Sequence, residues 1–284
     1  MNEKTGETTD TKAELLAKTR RINNLLTKKD NVDFAAVSAA LSDVLNANVY
    51  VTGKQGNILG YALLGDFECD LMIDTVIKQG EFPRAYVNWL AKFAKTAPNR
   101  RSKRGRCAYK ESTACPHTGK CTTIVPIYGG GKRLGTLIIA KYNGNFDDGD
   151  LLLAEYGATV VGMELLTAQT QKIETNAKKR AAVQIAVDTL SNSEKQAILS
   201  IIDAMEGSMD GLLVTSKIAE SKRITRSVVV NAIRKMESAG TIESQSLGMK
   251  GTYIRILNEY LLDEIPKMQE QLKTFEEALK KKDG

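Results

Sequence analysis

Aromatic residues, histidine and long apolar runs are scarce in this chain, and each scarcity narrows the possible functions. Aromatic residues make up 6% of the 284 residues, which argues against a carbohydrate-binding cleft or an RNA-stacking sheet. The single His, His117, has no recognisable acid–base or nucleophile partner, so an enzyme is not expected. Charge or glycine interrupts every apolar run, and the polar N-terminus has no signal-peptide core. These features predict a soluble, cytoplasmic protein with no membrane partner.

The length and charge distribution indicate more than one folded part. A chain with 42% apolar and 26% charged residues is ordinary for globular proteins, and 284 residues exceed one typical domain. Its net charge is +6, but ten Lys and Arg residues against one acid, Glu111, lie between Arg84 and Lys120. A solvated loop is the default interpretation of this basic run, with contacts to DNA flanks or to a phosphate as alternatives.

The first half of the chain alternates helices with hairpins, which predicts an α+β sensor domain over residues 13–146 after a disordered segment at 1–12. Apolar spacing and Gly-containing turns carry this prediction. The predicted elements are helices over Ala13–Leu26 and Phe34–Leu45, and hairpins that pair Val49–Val51 with Ile58–Leu59 and Thr122–Tyr128 with Leu134–Tyr142.

Residues 147–190 have a helical pattern without proline and are predicted to form a long linker helix. Asp147, Asp148 and Asp150 suit the positive end of the helix dipole at its start. About forty residues at about 1.5 Å each span roughly 60 Å, too long for a helix inside one compact domain. Because such helices commonly pair, a homodimer is expected.

Residues 191–258 follow the order helix, helix, turn, helix, hairpin, which is typical of a winged helix-turn-helix. In the third helix, Val229, Ala232, Ile233 and Met236 are spaced at i, i+3, i+4 and i+7, so one face is buried. The remaining polar residues are types that bond to base edges and phosphates of double-stranded DNA, although a merely solvated face is the alternative. The predicted DNA-binding residues are Ser216, Lys217, Thr225, Arg226, Ser227, Asn231, Arg234 and Lys235, with Lys250 on the hairpin, the wing.

The C-terminal tail, residues 259–284, has a separate apolar rhythm. Its apolar residues follow 4-3-4-3-4 spacing, although Pro266 weakens the first turn. Two interpretations stay open, a helix packed on its own domain and a dimeric coiled coil. The residues of this seam are Leu261, Ile265, Met268, Leu272, Phe275 and Leu279.

The segment "SKIAESKRITRSVVVNAIRKMESAGTIESQSLGMKGTYIRILN" closely resembles the winged helix-turn-helix of the CodY family, global transcriptional regulators of low-GC Gram-positive bacteria. The segments "LLAEYGATVVGMELL", "TTIVPIYGGGKRLGTLII", "LLAKTRRIN" and "ILGYAL" are similar to the same family, so the resemblance covers most of residues 13–258. It implies a dimeric repressor with a GAF sensor domain, a linker helix and a DNA-binding domain. It also implies nutritional effectors, namely branched-chain amino acids such as isoleucine in the GAF pocket, and GTP.

The resemblance carries two effector sites onto this chain, each with departures. Leu71 stands where the family typically has Arg, and Tyr109-Lys110 stands where it has Phe-Pro. A bound amino acid brings a carboxylate that needs a cation or several donors, for which Arg106, Lys110 or backbone N–H groups are candidates. The implied pocket residues are Leu71, Met72, Val76, Phe82, Pro83, Cys107 and Tyr109, and the implied nucleotide residues are Lys54, Gln55, Asn57 and Glu164.

Four cysteines, Cys69, Cys107, Cys115 and Cys121, give a competing hypothesis for the sensor domain. In a cytosolic protein, clustered cysteines are more often metal or redox residues than structural disulfides. They are candidates for holding zinc or an iron–sulfur cluster, or for sensing redox state. The spacing contains no C-x2-C pair, however, and free Cys is commonly a small buried residue.

Overall fold

The computed structural model describes residues 4–24, 33–65, 69–101, 105–107, 113–115, 117, 119–142 and 144–280. The chain divides into two compact units, residues 1–170 and 171–284. Each unit has its own hydrophobic core.

A five-stranded antiparallel sheet forms the centre of the first unit, in the order β2-β1-β5-β4-β3. Both predicted hairpins are confirmed, and the second pairs Val125 with Leu137 across its strands. Gly130 and Gly131 have φ of 58° and 75°, values that glycine adopts without strain, which explains the glycines in this turn. The strands are β1 Asn48–Gly53, β2 Ile58–Ala62, β3 Ala97–Arg101, β4 Cys121–Gly129 and β5 Lys132–Lys141.

One face of the sheet packs on helices α1 (Lys4–Asn23), α2 (Phe34–Leu45) and the first part of α5 (Asp148–Asp188). Val49, Val51 and Leu137 belong to this core because alternate strand residues point to the same face. Helix α2 has the predicted bounds. Helix α1 begins at Lys4, inside the segment 1–12 predicted to be disordered, where no proline stops the helix.

The opposite face of the sheet carries a second apolar cluster. The intervening strand residues Tyr50, Ile124 and Ile138 lie here and pack with helices α3 and α4. Helix α3 (Asp70–Met72) continues as a π-helical turn over Ile73–Ile77, and α4 spans Arg84–Ala91. The two sides of each strand therefore serve two different cores.

Helix α5 confirms the predicted long helix. Asp147 accepts a hydrogen bond from the Asp150 amide at 2.8 Å, which caps its start. An 18-residue stretch has mean hydropathy 1.3, enough to span a membrane by length and composition, a test that core helices also pass. Leu153, Ala154 and Val161 are buried against the sheet, but 39% of the stretch is buried, so packing on the sheet accounts for only part of its apolar character.

Helix α5 touches strand β4 backbone to backbone at Gly162. A Cβ atom on Gly162 would lie 2.4 Å from the Tyr128 carbonyl oxygen, and one on Gly129 would lie 3.1 Å from the Gly162 carbonyl oxygen. Only glycine permits this approach, so the helix and the β4–β5 turn are in direct contact.

The second unit has a core formed by the end of α5 with the helices and strands that follow. Val183, Ala186, Val187 and Leu190 are buried in it. Its sheet has the order β6-β8-β7, and β6 is a strand that the sequence pattern does not predict. The elements are α6 Asn192–Ala204, β6 Asp210–Leu213, α7 Thr215–Ser221, α8 Arg226–Ser238, β7 Ile242–Ser246, β8 Thr252–Ile256 and α9 Leu261–Lys280.

The first turns of helix α9 pack on their own unit, which confirms one of the two interpretations of the tail. Leu261 and Met268 are buried, and Ile265 and Leu272 pack against the same core. Phe275, further along the seam, is 44% exposed. The apolar seam is therefore internal from Leu261 to Leu272.

Candidate DNA-binding surface and effector pocket

The turn between α7 and α8 fixes how α8 faces solvent. Arg223 adopts a left-handed conformation with φ 55°, and the Ile224 amide donates to the Ala219 carbonyl at 3.0 Å. Val229 and Met236 are fully buried in the core. Because these residues fix the rotation of α8, the opposite side is exposed and carries Thr225, Arg226, Ser227, Asn231 and Arg234.

The N-terminus of α8 has the chemistry of an anion-binding helix end. It has no acidic residue in its first turn, and the Thr225 and Ser227 hydroxyl oxygens lie 2.8 Å apart. Unpaired N–H groups and the helix dipole favour negative charge at such an end. Ser216 and Lys217, at the start of α7, are also exposed.

Lys235 is bonded to residues outside α8. Its Nζ lies 2.7 Å from Oε2 of Glu194 and donates to the Thr189 carbonyl at 3.0 Å. The hydrogen bonds that Glu194 accepts from Lys235 and Ser191 outweigh its burial and lower the pKa of its carboxyl. Lys235 therefore joins α8 to the junction between α5 and α6, a role that competes with its predicted contact to DNA, and that contact stays a prediction.

The wing is a 3-10 turn over Gly248–Lys250 between β7 and β8. Gly248 and Gly251 have φ of 62° and 118°, and a Cβ atom on Gly251 would lie 2.5 Å from the Leu213 carbonyl oxygen. Lys250 is exposed, as predicted, and Met249 is fully exposed beside it. The sequence pattern did not single out Met249, since an apolar residue in a turn has no periodic signal.

The effector residues implied by the family resemblance form part of the second apolar cluster. Met72, Val76 and Phe82 are buried there, and Leu71 and Pro83 are half-buried beside them. The Phe82 ring stacks on Tyr86 with centroids 5.3 Å apart and meets Tyr50 edge-on at 6.0 Å. Cys107 is also buried, whereas Tyr109 and Lys110 lie outside the described residues.

The implied nucleotide residues lie on two elements. Lys54, Gln55 and Asn57 are exposed on the β1–β2 turn, where the Gly53 amide donates to the Asn57 carbonyl at 2.9 Å. Glu164 is half-buried on α5. The turn offers one lysine for a triphosphate that needs several cations or N–H groups, so GTP binding stays a prediction.

The four cysteines do not form a metal centre in the part of the chain that the structure describes. No group of three His, Cys, Asp or Glu side chains there is placed to hold an ion. The Cys121 thiol is buried and donates to Asn99 Oδ1 at 3.1 Å, and burial raises its pKa. Cys69 packs against the apolar cluster and the Cys115 thiol donates to the His117 carbonyl at 3.7 Å. The metal and iron–sulfur alternative therefore has no support in this geometry.

Comparison with known proteins identifies the family. Residues 14–189 match the CodY GAF-like domain, and residues 209–269 match the CodY helix-turn-helix domain. The chain belongs to the CodY family. It is 50% identical over 257 residues to the global transcriptional regulator CodY of Clostridium perfringens, which covers 90% of this chain and 99% of that protein. The corresponding protein of Clostridium beijerinckii is 49% identical with the same coverage.

A solved structure of the cofactor-binding GAF domain of the nutrient sensor CodY from Clostridium difficile is also similar. It is 38% identical, covers 54% of this chain and 97% of that one, and superposes with a TM-score of 0.41. The family matches show a transcriptional regulator with a GAF-like domain followed by a helix-turn-helix domain.

The two adjacent cations of α8 are predicted to behave differently in DNA binding. Lys235→Met should lower the melting temperature, because it leaves the buried Glu194 unpaired, and should leave the salt dependence of DNA affinity unchanged. Arg234→Met should reduce the slope of log affinity against log salt by about 1, as the loss of one phosphate contact does. Filter binding across a salt series measures the slope for each variant. A reduced slope for Lys235→Met would show that Lys235 also contacts DNA.

Proposed function

We propose that this protein binds double-stranded operator DNA with α8 in the major groove and the Gly248–Lys250 wing beside it, and acts mainly as a repressor in the cytoplasm. The observation that carries the proposal is the division of α8 into a buried apolar face and an exposed polar one. The exposed residue types form hydrogen bonds to base edges and phosphates, and they cluster toward the N-terminal half of the helix. The DNA-binding set is Ser216, Lys217, Thr225, Arg226, Ser227, Asn231, Arg234 and Lys250.

The effector proposed for the GAF-like domain is a branched-chain amino acid, with isoleucine as the first candidate. The buried cluster around Met72, Val76 and Phe82 suits a branched apolar side chain. The half-buried Leu71 gives no charge to a ligand carboxylate, so backbone N–H groups or a nearby cation must bind it. Binding then shifts the protein between states of different operator affinity.

The proposed homodimer uses an exposed apolar stripe on α5. Leu152, Met163 and Leu166 are 52%, 58% and 40% exposed, and Thr159 completes a heptad-like spacing with them. Exposed apolar residues at such spacing mark a helix-pairing surface. Two copies paired there present two copies of α8 to the two halves of an operator.

Loss of the Asn231 side chain should weaken operator binding by about 1–3 kcal/mol, the usual value of a bidentate contact to a base. Asn231→Ala leaves the buried face of α8 intact, so its melting temperature should match that of the unmodified protein. Ser238→Ala, at the exposed C-terminal end of the same helix, is the matched control. Equal operator affinities for Asn231→Ala and Ser238→Ala would argue against α8 as the DNA-recognition helix.

Isothermal calorimetry of protein purified without oxygen should show saturable isoleucine binding at one site per chain. The carboxylate contribution is tested by Leu71→Arg, which should tighten binding about tenfold, or about 1.4 kcal/mol, by adding a cation. The amine 2-methylbutylamine, which lacks the carboxylate, should gain nothing from that substitution. Absence of heat in both proteins would remove isoleucine as the effector and leave the DNA-binding proposal in place.

The paired form should depend on the α5 stripe. Met163→Glu combined with Leu166→Glu should shift the protein from twice the 31.1 kDa chain mass to the chain mass in sedimentation equilibrium. Ala168→Glu places one glutamate on the opposite side of the helix and should leave the mass unchanged. A dimer that persists in the double variant would place the pairing surface elsewhere.

A further inference from the structure

Arg133, on strand β5, holds the C-terminal end of helix α4. Its Nη1 donates to the Phe93 carbonyl at 2.6 Å and its Nη2 to the Leu90 carbonyl at 3.1 Å. Three further bonds, to the Ala91 carbonyl at 3.4 Å, to Thr136 Oγ1 at 2.9 Å and from Nε to the Gly135 carbonyl at 3.4 Å, complete the set. One planar guanidinium therefore joins the last carbonyls of α4 to the sheet.

The surroundings of Arg133 indicate that its charge stabilises the end of α4 and does not serve a surface ion pair. Among the described residues it forms no ion pair with a carboxylate, and burial lowers the pKa of its guanidinium. The carbonyl end of a helix carries a partial negative charge, which stabilises the guanidinium where it lies. A lysine in its place has no planar fork with which to bond several carbonyls together.

The other end of α4 lies in the proposed effector pocket. Pro83 precedes its first residue, and Phe82 and Tyr86 stack in the apolar cluster. The helix has only eight residues, so a displacement of its N-terminus by a ligand is carried to its C-terminus. Arg133 is hydrogen-bonded to that C-terminal end of α4.

The β4–β5 turn connects this helix end with α5. On one side, the Tyr128 hydroxyl donates to the Ala94 carbonyl at 3.2 Å, directly beyond α4. On the other side, the Tyr128 backbone meets Gly162 of α5 in the close contact described above. An open cleft of about 400 Å³ lies between Ala94–Thr96 and Glu155 and Thr159 of α5.

We propose that Arg133 is a positioning residue that transmits the state of the effector pocket through the β4–β5 turn to helix α5 at Gly162. The proposal deepens the effector-sensing function proposed above and rests on it for the identity of the pocket. The contacts themselves are independent of which molecule occupies the pocket. Arg133 touches neither the buried cluster residues implied to bind effector nor the DNA-binding surface.

The test uses the full-length chain with Arg133→Lys and, as a second variant that keeps the fold, Tyr128→Phe. The matched control is Lys132→Met, an exposed neighbour at the start of β5. Hydrogen exchange followed by mass spectrometry compares the peptides that cover α4 and residues 158–165 of α5. Fluorescence anisotropy measures the factor by which isoleucine changes the affinity for operator DNA.

Arg133→Lys should raise the exchange rate about fivefold or more both at the end of α4 and around Gly162, with a smaller change of the same sign in Tyr128→Phe. The isoleucine-dependent change in operator affinity should fall at least fivefold, while operator affinity without isoleucine stays within about twofold. Lys132→Met should alter none of these quantities.

Faster exchange in α4 without any change around Gly162 would overturn the proposal, whatever isoleucine does. Full retention of the isoleucine response in Arg133→Lys would overturn it as well. If the unmodified protein does not bind isoleucine, the proposed effector fails, and the exchange comparison decides the role of Arg133 by itself.

Discussion

Burial of apolar side chains along helix α5 is the interaction on which both units depend. Leu153, Ala154 and Val161 lie in the core of the first unit, and Val183 and Val187 lie in the core of the second. Burying a side chain of this kind contributes about 1.5–3 kcal/mol, so neither core is complete without its part of the helix. One helix is thus a structural component of both the GAF-like and the helix-turn-helix parts of the chain.

Periodic features of the sequence predicted most of this fold, and short or aperiodic ones did not. Helix α2 and the two hairpins of the sensor domain follow from apolar spacing and glycine turns, and α5 follows from a long pattern without proline. Strand β6 has four residues, among them Asp210 and Gly211, too few to show alternation. The π-helical turn at Ile73–Ile77 has no 3.6-residue period, so the residues proposed to line the effector pocket were inferred from the family resemblance instead.

The candidate sites show the same limit at the level of single side chains. Spacing placed Arg234 and Lys235 together on the polar side of α8, but it cannot reveal that Glu194, 41 positions earlier, lies within reach of only one of them. The cysteines pose the same problem, because proximity in sequence suggested a cluster and the fold separates their environments. Cys121 lies in the sheet–helix core, whereas Cys69 packs on the opposite side of the sheet. Partners far apart in sequence decide such roles.

The packing of helix α9 bears on how many copies of this chain associate. A surface that pairs with its own copy around a twofold axis gives a closed dimer. Two different association surfaces on one chain can instead join copies into an open filament. Leu261 and Met268 lie inside their own unit, so the apolar seam of α9 is withdrawn from contact with other chains along that length. That part of α9 therefore adds no second exposed apolar surface to the stripe on α5 that is proposed to pair two copies.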